Sequence, residues 1–194
     1  MKKKEPEIVE QIRKALKYRK KVKLVEPGRV PAAVLIPLLI KKGIPHIIFT
    51  RRTDKVEYHK GQISFPGGAA EEGETVIETA LRESEEEIGL NPADVEVLGE
   101  LDDMLTLTSN FVVSPVVASV SYPYSFTPNP METEEIIELP LEAIRDEKNW
   151  RVEENIMENV VHPEVHFLEY NGVVIWGATA KILKQLVDIL EGKY

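Results

Sequence analysis

The chain has 194 residues, 43% hydrophobic and 29% charged, the proportions of a soluble globular protein whose simplest organisation is one domain around one substantial core. It contains no cysteine, which excludes disulfides, thiolate zinc sites and a cysteine nucleophile. The formal net charge of −9 is unevenly spread: residues 1–23 hold ten Lys/Arg against three Glu, so they carry +7 and the remainder −16.

An acidic body argues against nucleic-acid binding by the domain. The basic segment reads more simply as a solvated amphipathic helix than as an arm for RNA. No apolar run reaches the roughly 18–20 residues needed to span a bilayer. "VPAAVLIPLLI" is short and contains Pro31 and Pro37, and the start "MKKKEPEIVEQ" has no apolar core of a signal peptide. The expectation is a cytoplasmic protein with no membrane partner. Abundant Glu and Lys with three Gln fit a thermophilic composition.

In chain order, "EPEIVEQIRKALKYRKKV" spaces Ile8, Ile12 and Leu16 as one apolar stripe, predicting an amphipathic helix that docks on the domain. "EPGRVP" reads as a linker, so residues 1–27 form an N-terminal helical extension and 28–194 the main domain. "AAVLIPLLI" and "HIIFT", separated by "KKGIP", predict a β-hairpin with buried strands. The loop "RRTDKVEYHKGQ" leads to "ISFPGG". Residues 75–88 predict a helix with Ile77, Ala80, Leu81, Ser84 and Ile88 inward and Gly89 as its stop. "DVEVLGEL", "FVVSPVVASV" and "EEIIELPL" read as strands. A short helix near 141–146, strands near 164–176 and a helix over "TAKILKQLVDIL" complete the chain. The sum is an α/β fold, a mixed β-sheet sandwiched between helices.

The stretch "RESEEEIGL" raises a question of charge. Glu83, Glu85, Glu86 and Glu87 crowd together near a helix end, where like charges repel by roughly 0.2–0.5 kcal/mol per pair and cations are preferred. With the apolar stripe inward, Glu83, Glu86 and Glu87 share the neighbouring, more exposed face and converge at i, i+3 and i+4. Hard divalent cations take such oxygen ligands, Mg²⁺ with one or two carboxylates plus waters and phosphate oxygens. Gly67 and Gly68 leave the backbone free for close approach, so a carbonyl there can join the set.

From Gly68 the spacing is five residues to Glu74, seven more, then Arg82-Glu83-Ser84-Glu85-Glu86-Glu87-Ile88-Gly89-Leu90. This resembles the Nudix box, Gly-x5-Glu-x7-Arg-Glu-U-x-Glu-Glu-x-Gly-U with U apolar; Ser84 at the first U is the one departure. The resemblance implies a Nudix fold and an enzyme that hydrolyses a nucleoside diphosphate linked to another moiety, using Mg²⁺ or Mn²⁺. By position it makes Glu83, Glu86 and Glu87 the metal carboxylates, with Gly68 offering its carbonyl. It pairs Glu74 with Arg82 as a brace. Glu83 is the first choice for accepting the proton of the attacking water, and Glu134 or Glu135 from "PMETEEIIEL" is the second. Nudix relatives are often dimers, which suggests a homodimer.

Upstream, "FTRRTDKVEYHKGQISFPGG" resembles the segment before the box in coenzyme A diphosphatases. Thr50, Arg52, Gly61, Phe65, Pro66, Gly67 and Gly68 match, Thr53 stands for serine, and Glu57 falls where a second arginine is expected. Arg51, Arg52, Lys55 or Lys60 could compensate for that reversal. His59 in the same loop is a candidate phosphate contact, so Arg51, Arg52, Lys55, His59 and Gly67 form the substrate-binding set. The similarity runs over roughly residues 32–185, with Asn110 where glycine is usual. It implies coenzyme A or a derivative as substrate. The alternatives are another nucleoside diphosphate derivative (ADP-ribose, a dinucleotide polyphosphate or an NTP) or a non-catalytic binding module, which retention of every metal carboxylate disfavours. His162 and His166 have helical metal-pair spacing. Pro163 and β-rich flanks instead predict an extended segment, placing them about 13 Å apart. Tyr122 and Tyr124 could stack on an adenine, though packing at a strand end accounts for them more simply.

Overall fold

The computed structural model describes residues 6–55, 60–106, 109–157 and 160–194, with side chains excepted over 154–163. Helix α1 (Glu7–Lys17) precedes β1 (Val30–Lys41), β2 (Ile44–Arg52), β3 (Ile63–Ser64) and β4 (Gly67–Ala69). Helix α2 (Val76–Ile88) leads to β5 (Val95–Glu100), β6 (Met104–Leu105), β7 (Phe111–Val120) and β8 (Thr133–Pro140). Then come α3 (Leu141–Arg145), β9 (Trp150–Met157), β10 (Val160–Tyr170), β11 (Val173–Trp176) and α4 (Gly177–Leu190).

The long apolar run of β1 is the centre of the main sheet, whose order is β3-β2-β1-β7-β5, with β8 on β2, β6 on β7 and β4 on β1. β1 runs parallel to β7 and antiparallel to β2 and β4, so the sheet is mixed. A strand covered on both faces is apolar at both parities. In β1, Ala33, Leu35 and Leu39 pack with Ala80 and Ile88 of α2, while Ala32, Ile36 and Leu38 face a second cluster holding residues of α1 and α4. Strands β9 to β11 form a separate antiparallel sheet, with Leu168 and Ile175 in that second cluster.

The basic N-terminal segment differs from its sequence reading. The helix docks as expected, with Val9, Ile12 and Leu16 buried, but it stops at Lys17 and does not run on through Val22. An added Cβ at Gly99 would lie 2.7 Å from Leu16 Cβ, so the absent side chain is what admits α1 against β5. Residues 19–24 form an extended strap over Asp102 and Asp103. Val22 N–H and Leu24 N–H donate to their carboxylates at 2.7 and 3.0 Å, and Asp103 N–H returns a bond to Val22 O. Arg13 pairs with Glu96, Arg19 with Asp102, and Lys21 with Glu100 and Asp103. These cations of the +7 segment are thus neutralised inside the molecule. The "EPGRVP" linker is also shorter than expected, because β1 begins at Val30. Asn110 explains part of this: its Nδ2 donates to Gly28 O and its carbonyl accepts Val30 N–H.

Candidate active site

Helix α2 is set at both ends by local chemistry. Thr75 caps the start in a reciprocal pair with Glu78. Gly89, at a φ of 66°, ends it, its N–H bonding Glu85 O and Leu90 N–H bonding Ser84 O. The last turn carries no basic side chain. Neutral donors from the segment after β7 meet its carbonyls instead: Thr127 N–H on Ile88 O and Asn129 N–H on Glu87 O, both at 2.9 Å. The Tyr124 hydroxyl donates to Gly89 O and accepts Asn91 N–H, a helix-end contact in keeping with packing. Ser84, the departure from the apolar pattern, is fully buried and satisfies its hydroxyl on Ala80 O at 2.7 Å.

The three carboxylates do not share one environment. The Glu86 side chain is 56% exposed and Glu83 16%, but Glu87 only 5%, which corrects the expectation that all three lie on a more exposed face. Glu87 follows Ala80 by seven positions and Ser84 by three, so helical spacing places it on the inward face. Burial pushes its carboxyl up to about 8, against the opposing pull of Arg52 and of the Gly67 N–H that donates to it at 3.3 Å. Burial also raises Glu83, with Arg82 pulling the other way.

Strand β4 brings Gly67 and Gly68 beside Val34 and Ala33 of β1 and against this face of α2. A Cβ at Gly68 would sit 2.4 Å from Glu83 Oε2, so the glycine is what lets backbone and carboxylate meet. Arg82 Nε and Nη2 grip Glu74 at 2.7 and 3.0 Å, Nη2 also reaches Ala69 O, and Nη1 reaches Glu83 and Glu86. Arg82 first, and then the Glu71 N–H, hold the Glu74 carboxyl down at about 2. Among the described residues no three carboxylate or imidazole groups form a compact cage. The donor set still suits a hard divalent cation: oxygens only, on one helix face, with a glycine backbone alongside.

Of the described cations in the expected substrate-binding set, Arg52 is the one that faces this cluster. Its Nη1 lies 3.7 Å from Glu87 Oε1, and its Nε is buried without a hydrogen-bond partner. Arg51, the preceding residue on β2, pairs with Glu135 of β8 at 3.0 Å, and Lys55 Nζ donates to Pro130 O. Glu57 and His59 lie outside the described residues. His162 and His166 lie on β10, in extended backbone as expected.

The loop carboxylates after β7 differ in their surroundings. Glu135 is engaged by Arg51 and Glu134 is exposed, whereas Glu132 exerts its charge on both Glu83 and Glu87. Its place is set by a turn in which Glu132 N–H and Thr133 N–H bond Asn129 O, and by Thr53 N–H on Glu132 O. A concavity of about 510 Å³ is lined by Glu74, Glu78, Arg82 and Glu85 on the other flank of α2. It is an open acidic surface away from Glu83 and Glu87.

Residues 29–160 match the NUDIX domain family. A protein of Yersinia enterocolitica named "Uncharacterized Nudix hydrolase NudL" is 39% identical over 159 residues, covering 81% of this chain and 80% of the relative. The chain belongs to the Nudix family. Two solved structures share its fold. One, described as a MutT/nudix family protein from Enterococcus faecalis, has a TM-score of 0.52 at 12% identity, over 98% of this chain and 76% of its own. The other, DR0079 of Deinococcus radiodurans, has a TM-score of 0.54 at 16% identity, over 84% and 88%. The mixed sheet flanked by helices is the Nudix fold, and among the described residues no helix is long and apolar enough to cross a membrane.

Proposed function

We propose that this Nudix protein is a divalent-metal-dependent diphosphatase acting on a nucleoside diphosphate linked to a second moiety, with coenzyme A or a derivative as substrate. The observation that carries the reaction type is the Gly67–Gly68 strand lying against Glu83 and Glu87, with Arg52 facing the same cluster. Glu83, Glu86 and Glu87, with the Gly68 carbonyl, are the groups that would hold Mg²⁺ or Mn²⁺. A bound ion there supplies charge neutralisation at the diphosphate and a more acidic water. Arg52 offers its guanidinium to a diphosphate oxygen, which would satisfy the buried Nε. Glu83, raised by burial, accepts the proton of the attacking water. Arg82 and Glu74 keep the strand and helix in register. The P–O–P bridge opens by addition of water, and coenzyme A would give 4′-phosphopantetheine and adenosine 3′,5′-bisphosphate.

The coenzyme A reading rests on the matching residues before the box, from Thr50 to Gly68. Glu57 is the residue that tells against it. We assign residues 28–194 to the catalytic unit and 1–27 to an extension clamped on it. A comparison of kcat/KM for coenzyme A, dephospho-coenzyme A and ADP-ribose tests the substrate. Highest efficiency on coenzyme A supports the reading, and preference for ADP-ribose replaces the substrate while keeping the chemistry.

A further inference from the structure

The guanidinium of Arg82 has two sides with different work. Nε and Nη2 bind both oxygens of Glu74, at 2.7 and 3.0 Å, and Nη2 adds the Ala69 carbonyl at 3.0 Å. Glu74 is itself held by Glu71 N–H and Thr79 Oγ1 at 2.8 and 2.9 Å. A planar fork gripped by a fixed carboxylate keeps its place when its remaining nitrogen lets go. That nitrogen, Nη1, reaches Glu83 Oε1 at 2.9 Å and Glu86 Oε2 at 3.4 Å, two of the oxygens assigned above to a divalent cation.

We infer that Arg82 is the internal counter-cation of this face: Nη1 holds Glu83 and Glu86 together in the metal-free protein and yields them when a divalent cation binds, while Nε and Nη2 stay on Glu74. The inference rests on the metal reading of the site and goes beyond a bracing role, because it sets Arg82 in competition with the metal. A brace alone predicts that breaking either partner disorders the site and weakens metal binding. Competition predicts opposite signs. Loss of the guanidinium removes a positive charge from beside the cation, and loss of the Glu74 charge frees the whole fork for Glu83 and Glu86.

The test is calorimetric titration of Mn²⁺ alone into the full-length wild type, Arg82→Gln and Glu74→Gln proteins, each checked for folding by thermal melting. Arg82→Gln is expected to bind Mn²⁺ about threefold tighter or more, the direction Coulomb's law requires, and Glu74→Gln to bind it more weakly. Weaker binding by both variants overturns the inference and leaves the brace. Absence of Mn²⁺ binding by the wild type overturns the metal reading itself, and the inference with it. Should a variant fail to fold, arginine side-chain NMR of the wild type decides the question. Mg²⁺ is expected to move the Nη1 hydrogens of Arg82 and leave its Nε–H in place, and a spectrum in which neither moves contradicts the inference.

Discussion

A Cβ at Gly68 would stand 2.4 Å from Glu83 Oε2 and 2.5 Å from its Cδ, closer than non-bonded atoms approach. The obstacle is the end of a flexible side chain, so the fold can give way there, and what moves is the carboxylate. Gly68→Ala is therefore expected to keep the melting temperature within about 4 °C of wild type and to lower kcat by about a hundredfold, the cost of displacing a positioned group by an ångström. Normal turnover in a folded Gly68→Ala protein would contradict the placement of Glu83.

Gly67 gives the opposite expectation one residue away. An added Cβ would meet Ala33 O at 2.3 Å and Val34 Cα at 2.6 Å, both backbone, and the residue has a φ of 154°. Gly67→Ala should destabilise the fold by about 3 kcal/mol or more. Urea unfolding checks this, and a loss within experimental scatter would refute it.

Glu87 makes the metal-free protein pH-sensitive. Its carboxyl is raised from 4.5 to about 8 by burial, so its contribution to folding is fully present below pH 4.5 and is lost as pH rises through 8. Across that window the slope approaches about 1.4 kcal/mol per pH unit. In chelator, Glu87→Gln is expected to melt above wild type at pH 8, with the gap closing towards pH 5. A gap that is absent at pH 8, or that widens on acidification, would speak against a buried ionisable Glu87.

The strap makes a separate prediction. Lys21 lies 2.7 Å from Asp103 and 2.6 Å from Glu100, with side chains of Lys21 and Asp103 13% and 8% exposed. Burial raises the Asp103 carboxyl, but Lys21, the Ser114 hydroxyl and the Leu24 N–H together hold it below its ordinary value. Its stabilisation is therefore present at neutral pH and lost as acid protonates it. Lys21→Met leaves Asp103 buried without its cation, and should cost about 3–5 kcal/mol in urea unfolding at neutral pH. A cost below about 1 kcal/mol would mark the strap as a surface contact.

Glu132 tests the assignment of the base. Burial is the main cause of the raised Glu83 and Glu87 carboxyls, and the charge of Glu132 adds to it. With Glu83 accepting the proton, Glu132→Gln should move the acid limb of the kcat profile to lower pH and cost less than about tenfold at the plateau. A plateau loss of about a hundredfold or more, the range of a lost general base, would transfer that role to Glu132.

The box was legible because its chemistry sits at fixed spacing on one helix, but Glu87 was expected on the exposed face although its seven-residue step from Ala80 puts it on the buried stripe. Glu132 could not be read from spacing, since its position depends on a turn hung from the carbonyl of Glu87, a contact between segments 42 residues apart. Strand β9 was missed for another reason. "WRVEENIM" lacks clean alternation, and its pairing with β10 includes a register shift between His162 and Val165. The strap reads as helix because its lysines and arginines suit one, yet residues 19–24 follow the acidic partners at Glu100, Asp102 and Asp103.

The measurement that tests the central claim most directly is product analysis of coenzyme A incubated with the purified protein and Mn²⁺, with chelator and with Glu86→Gln as parallel reactions. The account predicts 4′-phosphopantetheine and adenosine 3′,5′-bisphosphate in equal amounts, abolished by chelator and strongly reduced by Glu86→Gln. Cleavage that persists in chelator, or at full rate in Glu86→Gln, would contradict a reaction carried by this carboxylate face.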